Sequence, residues 1–187
     1  ETPMISNFLK GKNDFYGITE PMLLKRLGKI SLKDTDYSFK YSNFGMAVVG
    51  AVLEQVYEKD YRTLMKSYVT DELGLLHTQV SDGSGDLGRN WEWGEADAYI
   101  PAGAIVSDIS DMMKYALLQM QEKPEYLSMA HEPLAEINAT TATNDKMNIR
   151  IDAVAAGWMI DSKNNIIWHN GATGNYNSYL GFDKENQ

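Results

Sequence analysis

The chain contains no cysteine, which excludes disulfide scaffolds, thiolate metal sites and cysteine nucleophiles together. Its histidines are only His77, His131 and His169, far apart and outside any H-E-x-x-H pair, so the sequence implies no metal. No apolar run approaches the roughly 20 residues of a membrane-spanning helix; Gly, Glu or Lys breaks the longest ones. Basic residues are in deficit. With 17 Lys and Arg against 26 Asp and Glu the formal charge is −9, which repels phosphate backbones and argues against a nucleic-acid partner. The opening Glu1-Thr2-Pro3 has no initiator Met, basic stretch or apolar signal segment. The sequence therefore reads as a mature protein or an internal piece.

What is present suits an ordinary globular protein: 187 residues, 43% hydrophobic and 23% charged, enough for one generous domain or two small ones. Thr19-Glu20-Pro21 opens a short helix, with Leu23, Leu24 and Leu27 on one face and Gly28 as its stop. A second helix starts at Ser42 or Asn43 and runs to Tyr57; it is apolar on nearly all faces, which predicts a central position. An amphipathic stripe follows from Tyr61 to Leu73, ended by Gly74. Residues 78 to 104 read as a long ordered loop or short irregular strands. Asp108 caps a helix to about Met120, with Asp111 in a capping-box position, and Pro124 begins another, bent or broken at Pro133.

Thr140 to Asn148 reads as polar linker, and the texture changes after Met147. Ala156–Ile160, Ile166–His169 and Tyr176–Phe182 read as three antiparallel strands joined by hairpins. The fold class is α+β: a mainly helical region, 1–147, followed by antiparallel strands, 148–187.

Three motifs match their templates without the required context. Gly83-Ser84-Gly85-Asp86-Leu87-Gly88 spells a dinucleotide fingerprint, but no hydrophobic strand precedes it and no helix start follows, so no cofactor is implied. Asp82, Ser84 and Asp86 imitate a calcium loop, yet Leu87 and Trp93 stand where the Gly and the bidentate Glu are needed. Asn138-Ala139-Thr140 is a glycosylation sequon, which has meaning only in a eukaryotic secretory pathway.

Two small motifs stand at better places. Tyr41-Ser42-Asn43 lies at the mouth of the most apolar helix, and His169-Asn170-Gly171 ends a strand. The plain readings are a core-edge aromatic for Tyr41 and a helix cap for Asn43.

Neighbouring residues extend both motifs into a resemblance. Phe39-Lys40-Tyr41-Ser42-Asn43-Phe44-Gly45 resembles the Y-x-N segment of class C serine β-lactamases and their penicillin-binding relatives. Leu73-Gly74-Leu75-Leu76-His77-Thr78 is similar to that family's L-G-M-x-x-T turn, and Ala102 to Met112 to its A-G-G-x-x-S-x-x-D-[ML] segment. Ala156-Gly157-Trp158, then His169-Asn170-Gly171-Ala172-Thr173-Gly174, resemble its G-x-G-W and H-x-G strands. The series keeps the family's order over about residues 19 to 183. It departs at Asp34-Thr35-Asp36, at Ala104 and at Asn175, and no Ser is followed by Lys three residues later, so the S-x-x-K nucleophile motif is absent. The chain is expected to be the middle of a longer enzyme.

The resemblance implies a serine acyl hydrolase acting through an acyl-enzyme on β-lactam, peptidoglycan-type peptide or small ester substrates. It implies an extracytoplasmic bacterial location, and no cofactor. Tyr41 is then the base and proton donor, Asn43 the amide facing the substrate, His169 and Gly171 part of the docking strand, and the Ala172 N–H half of an oxyanion hole. His in place of the family's Lys at 169 carries charge only when protonated, which favours carboxypeptidase- or esterase-like members. Tyr41 and His169 are expected to face one cleft, with Ser107 and Met112 in helix packing. A non-catalytic ligand-binding or envelope interaction module is the alternative. Alone, the chain is expected to form no acyl adduct, and to be poorly folded or self-associated through Phe44–Tyr57 or the strand edges, unless missing segments complement it.

Overall fold

The computed structural model describes residues 13–82, 91–174 and 176–185. The dinucleotide-like hexapeptide, and Ser84 and Asp86 of the calcium-like series, lie outside the described residues. The chain divides into two compact units: residues up to Asp108 together with Ala172–Tyr176, and Ile109–Gly171 together with the residues from Asn177 onward.

In the first unit, α1 spans Glu20–Leu27. The Thr19 carbonyl accepts from the N–H groups of Met22 and Leu23, both at 3.0 Å, but its hydroxyl makes no capping bond. Leu23 is fully buried, whereas Leu24 and Leu27 stay exposed. Gly28 does not turn left-handed as a helix stop; its φ is −64°. The helix instead unwinds through short-range bonds from Lys29 N–H to the Arg26 carbonyl and from Ile30 N–H to that of Leu27.

Helix α2, Asn43–Tyr57, starts on Ser42, whose Oγ accepts from the Gly45 N–H at 2.9 Å. Its Ala47 and Gly50 are buried. Ala47 packs with Ile18, Leu23 and Tyr99, flanked by Phe44, Val48 and Ala51. Gly50 lies against a 3₁₀ turn, Ile100–Ala102. A Cβ on Gly50 would stand 2.1 Å from Pro101 Cγ, an impossible approach for any larger residue. Met46, Val49, Val52, Val56 and Tyr57 are exposed, because the described neighbours cover only the small-residue side.

Helix α3, Tyr61–Lys66, is capped by Asp60 and runs into a π-helical turn, Ser67–Glu72. Gly74 then adopts φ +66°, the left-handed exit expected of it. The long segment after it is pinned at both ends by a two-strand ladder. β1, Gln79–Val80, pairs antiparallel with β2, Ile105–Val106. Val80, Ile100 and Ala104 form a second apolar cluster there, edged by Tyr61, Met65 and Trp93.

The second unit holds α4 (Ile109–Gln121), α5 (Tyr126–His131) and α6 (Ala142–Lys146). The antiparallel sheet has five strands in sequence order: β3 (Ala135–Glu136), β4 (Ala153–Val154), β5 (Met159–Asp161), β6 (Ile166–Thr173) and β7 (Tyr176–Phe182). Its core joins Ala155, Trp158, Ile167 and Phe182 to Tyr115 and Met120 of α4.

Several elements depart from the sequence reading. Helix α6 forms inside the supposed linker, started by the Thr141 hydroxyl accepting from Asn144 N–H. It has no apolar stripe to reveal it. The two-residue strands β3 and β4 are too short to show a period. β5 begins at Met159 and not at Ala156, because Gly157, at φ +82°, makes the turn out of β4. β6 runs on through Gly171 to Thr173, so most of the Gly-Ala-Thr-Gly stretch is strand and not turn.

Candidate active site

The sequence-derived site residues fall into two groups, each fixed by one element. Tyr41 lies in the extended segment leading into α2 and is 59% exposed. Asn43 is the first residue of α2 and is half-buried. Since Ser42 performs the capping, the Asn43 amide is released from the plain role that its position suggested. Burial pushes the Tyr61 hydroxyl of α3 up to about 12. That tyrosine stays protonated near neutrality.

His169, Gly171 and Ala172 all lie on β6. Strand alternation puts His169, Gly171 and Thr173 on one face, and Trp168, Asn170 and Ala172 on the other. Trp168 anchors its face: its Nε1 donates to the Arg150 carbonyl at 3.1 Å, and its ring stacks on Tyr179 of β7 with centroids 5.5 Å apart.

The ladder with β5 is short. Its partners are Met159 with Trp168, Ile160 with Ile167, and Asp161 with Ile166. Beyond Trp168 the β5 chain has already turned away at Gly157, so among the described residues His169–Thr173 run past the end of their β5 neighbour. The segment expected to dock an extended ligand thus extends beyond the β5–β6 register.

On the other side of β6, the hairpin brings a residue that sequence reading missed. β6 ends at Thr173 and β7 begins at Tyr176, and Ser178 of β7 lies beside Gly171. A Cβ on Gly171 would stand 3.0 Å from Ser178 Oγ. The missing side chain therefore has a second reason besides a ligand's approach, namely the hydroxyl leaning over it. The sequence offered no signal for it, since Gly-Ala-Thr-Gly itself read as the turn.

Two more of the motif segments meet in the first unit. Thr78, at the end of the Leu73–Thr78 turn, shares a 2.8 Å hydrogen bond with Ser107 of the segment Ala102–Met112. The β1–β2 ladder runs beside that bond, and His77 Nδ1 lies 3.0 Å from Asp108 Oδ2. Ser107 is therefore engaged with Thr78. Ala104, which replaces the second Gly of its segment, is almost wholly buried, so its methyl helps fill the core.

Residues 17–187 match the Beta-lactamase family. The chain belongs to the beta-lactamase family. Solved structures show the same fold. The octameric penicillin-binding protein homologue from Pyrococcus abyssi superposes with a TM-score of 0.73 at 15% identity, over 96% of this chain and 44% of that one. A beta-lactamase/D-alanine carboxypeptidase from Yersinia pestis, complexed with citrate, gives 0.70 at 18% identity, over 91% and 53%. A D-stereospecific amidohydrolase from a Streptomyces species gives 0.64 at 19% identity, over 98% and 57%. The chain thus spans about half the length of these beta-lactamase-fold relatives. No curated protein matches it in sequence. The α+β class and the family resemblance drawn from the motif series both hold.

Proposed function

We propose that this chain is the Y-x-N and H-x-G portion of a serine acyl hydrolase, acting through an acyl-enzyme on β-lactam, peptide or ester substrates. The observation that supports the reading is that His169–Thr173 run past the end of β5, the stretch a substrate would use as a pairing partner. A serine hydroxyl becomes a nucleophile near neutral pH only with a base beside it. Tyr41 serves as that base and returns the proton to the leaving group, while Asn43 holds the substrate's amide carbonyl. The Ala172 N–H stabilises the oxyanion. The serine itself is supplied from sequence outside these 187 residues.

The family and its named relatives support an extracytoplasmic bacterial setting, with peptidoglycan-type peptides or β-lactams as partners. Among the described residues no helix is long and apolar enough to cross a membrane. The alternative is a non-catalytic ligand-binding or envelope interaction module, which an S-x-x-K in the flanking sequence would exclude.

Intact-mass measurement after exposure to penicillin and to a reactive ester separates the two readings. The full-length protein gains one acyl group per chain, and the 187-residue chain alone gains none. An adduct on any serine of this chain puts the nucleophile elsewhere than proposed. A full-length protein that binds penicillin without a covalent gain is the binding module.

A further inference from the structure

We propose that a cavity in the first unit binds a small zwitterion of the free amino acid class, its carboxylate on Arg62 and its ammonium among acidic side chains. The site uses neither Tyr41, Asn43 nor β6, so it stands apart from the hydrolase reading. The cavity measures about 280 Å³ and is walled by the start of α1, one side of α2, the start of α3 and residues 95–98. Small-molecule sites begin at about this size. Ala47 and Ala51 line the α2 wall, and larger side chains there would close the space.

Charge decides the ligand. Glu20, Glu54, Asp60, Glu95 and Asp97 line the cavity together with a single cation, Arg62. The carboxylates that are bonded have uncharged donors. Glu54 Oε1 accepts from Tyr61 N–H at 2.7 Å, Asp97 from the N–H groups of Gly17 and Gly94 at 2.8 Å, and Asp60 from Thr63. Arg62 is turned elsewhere, its Nη1 donating to the Ser81 carbonyl at 2.8 Å. Its Nε is buried and is, among the described residues, the one such side-chain atom without a hydrogen-bond partner. A buried donor left unmet is costly, and native structures keep few of them.

Simpler ligands satisfy only half of this wall. A bare organic cation leaves the guanidinium edge unmet, and a bare anion faces five carboxylates. A metal ion needs ligand atoms that close on one point, and among the described residues these carboxylates form no such group. A molecule with both charges a few atoms apart answers both sides. Its carboxylate takes charge-assisted bonds from the guanidinium, whose planar fork suits that group. Its ammonium donates to the carboxylates, and its small apolar part rests on Ala47 and Ala51.

Titration calorimetry on the full-length protein that carries this chain tests it, with racemic alanine, alaninamide and propionate as probes. The wild type binds alanine, and binds the two single-charge analogues at least tenfold more weakly. Arg62→Gln weakens alanine at least tenfold. Glu54→Gln, which keeps an acceptor for the Tyr61 N–H, weakens it about three- to tenfold. Ala51→Leu fills the cavity and abolishes binding. A thermal melt of each variant identifies any that has lost its fold, and the three probes on the wild type need no variant at all. A wild type that does not bind alanine overturns the proposal. So does one that binds alaninamide or propionate as tightly as alanine, since one charge then suffices. Alanine affinity unchanged in folded Arg62→Gln and Ala51→Leu places the ligand elsewhere and overturns it equally.

Discussion

Asp152 shows how a single side chain in this molecule ties charge to stability. The Arg150 guanidinium donates to its Oδ1 at 2.9 Å from Nη2 and 3.1 Å from Nε, and Ser162 N–H donates to Oδ2 at 3.0 Å. These bonds, the Arg150 side chain first, hold the Asp152 carboxyl below the usual carboxylate range. Glu122, bonded by Lys184 Nζ at 2.6 Å and by His131, is lowered in the same way. A carboxyl lowered in the folded state binds its proton more readily when unfolded. Its contribution is complete above the ordinary value of about 4 and is lost as pH falls through the lowered one. Thermal melts from pH 7 down to pH 3 are expected to show falling stability. Asp152→Asn should melt lower than the wild type at pH 7 and converge on it at the acid end. Parallel curves for the two proteins across the range would mean that this carboxylate carries none of the acid sensitivity.

Helix α2 is the element on which the candidate site depends, since it sets both Tyr41 and Asn43. Its position is fixed by Gly50, where the Pro101 ring occupies the space of a side chain. Gly50→Ala gains about 1 kcal/mol of helix propensity. It must then displace a proline ring that has no rotamer to yield, and overpacking of this kind costs about 1–3 kcal/mol or more. The net change is expected to be destabilising. The melting temperature should drop by about 2–4 °C for each kcal/mol lost in a chain of this size. An unchanged or raised melting temperature contradicts the close contact.

Much of the element pattern was legible because the signals were local. The Ser42 cap, the left-handed exit at Gly74 and the strand Tyr176–Phe182 each follow from a few adjacent residues. Helix α6 and strands β3 and β4 were not legible, because a five-residue helix with four polar residues and two-residue strands carry no period. The end of β6 was misplaced for another reason: Gly-Ala-Thr-Gly reads as a turn, yet pairing with β7 keeps Gly171 and Ala172 extended. At the site, Tyr41, Asn43 and His169 could be named from motif spacing. Ser178 could not, since only the fold brings it beside Gly171.

At the scale of the whole chain, the apolar surface of α2 governs behaviour in solution. Met46, Val49, Val52, Val56 and Tyr57 recur at helical spacing, and Val49, Val52 and Val56 are 47%, 54% and 68% exposed. Burying a large apolar side chain completely contributes about 1.5–3 kcal/mol. These five side chains, 44% to 68% exposed, each forgo about half of that, together comparable to the lower end of the 5–15 kcal/mol stability of a typical domain. The formal charge of −9 opposes association. Its effect is weakened by salt, whereas apolar contact is not. The first eleven residues of α2, Asn43 to Leu53, carry no charge at all, so local repulsion at that face is small. The 187-residue chain made alone is therefore expected to self-associate through α2, with a sedimentation mass that rises with protein concentration and more steeply in high salt. Val49→Glu, placed in the middle of the stripe, should shift it back toward monomer. A single monomeric species at every concentration, or association unaffected by Val49→Glu, would show that this surface is not what drives the isolated chain.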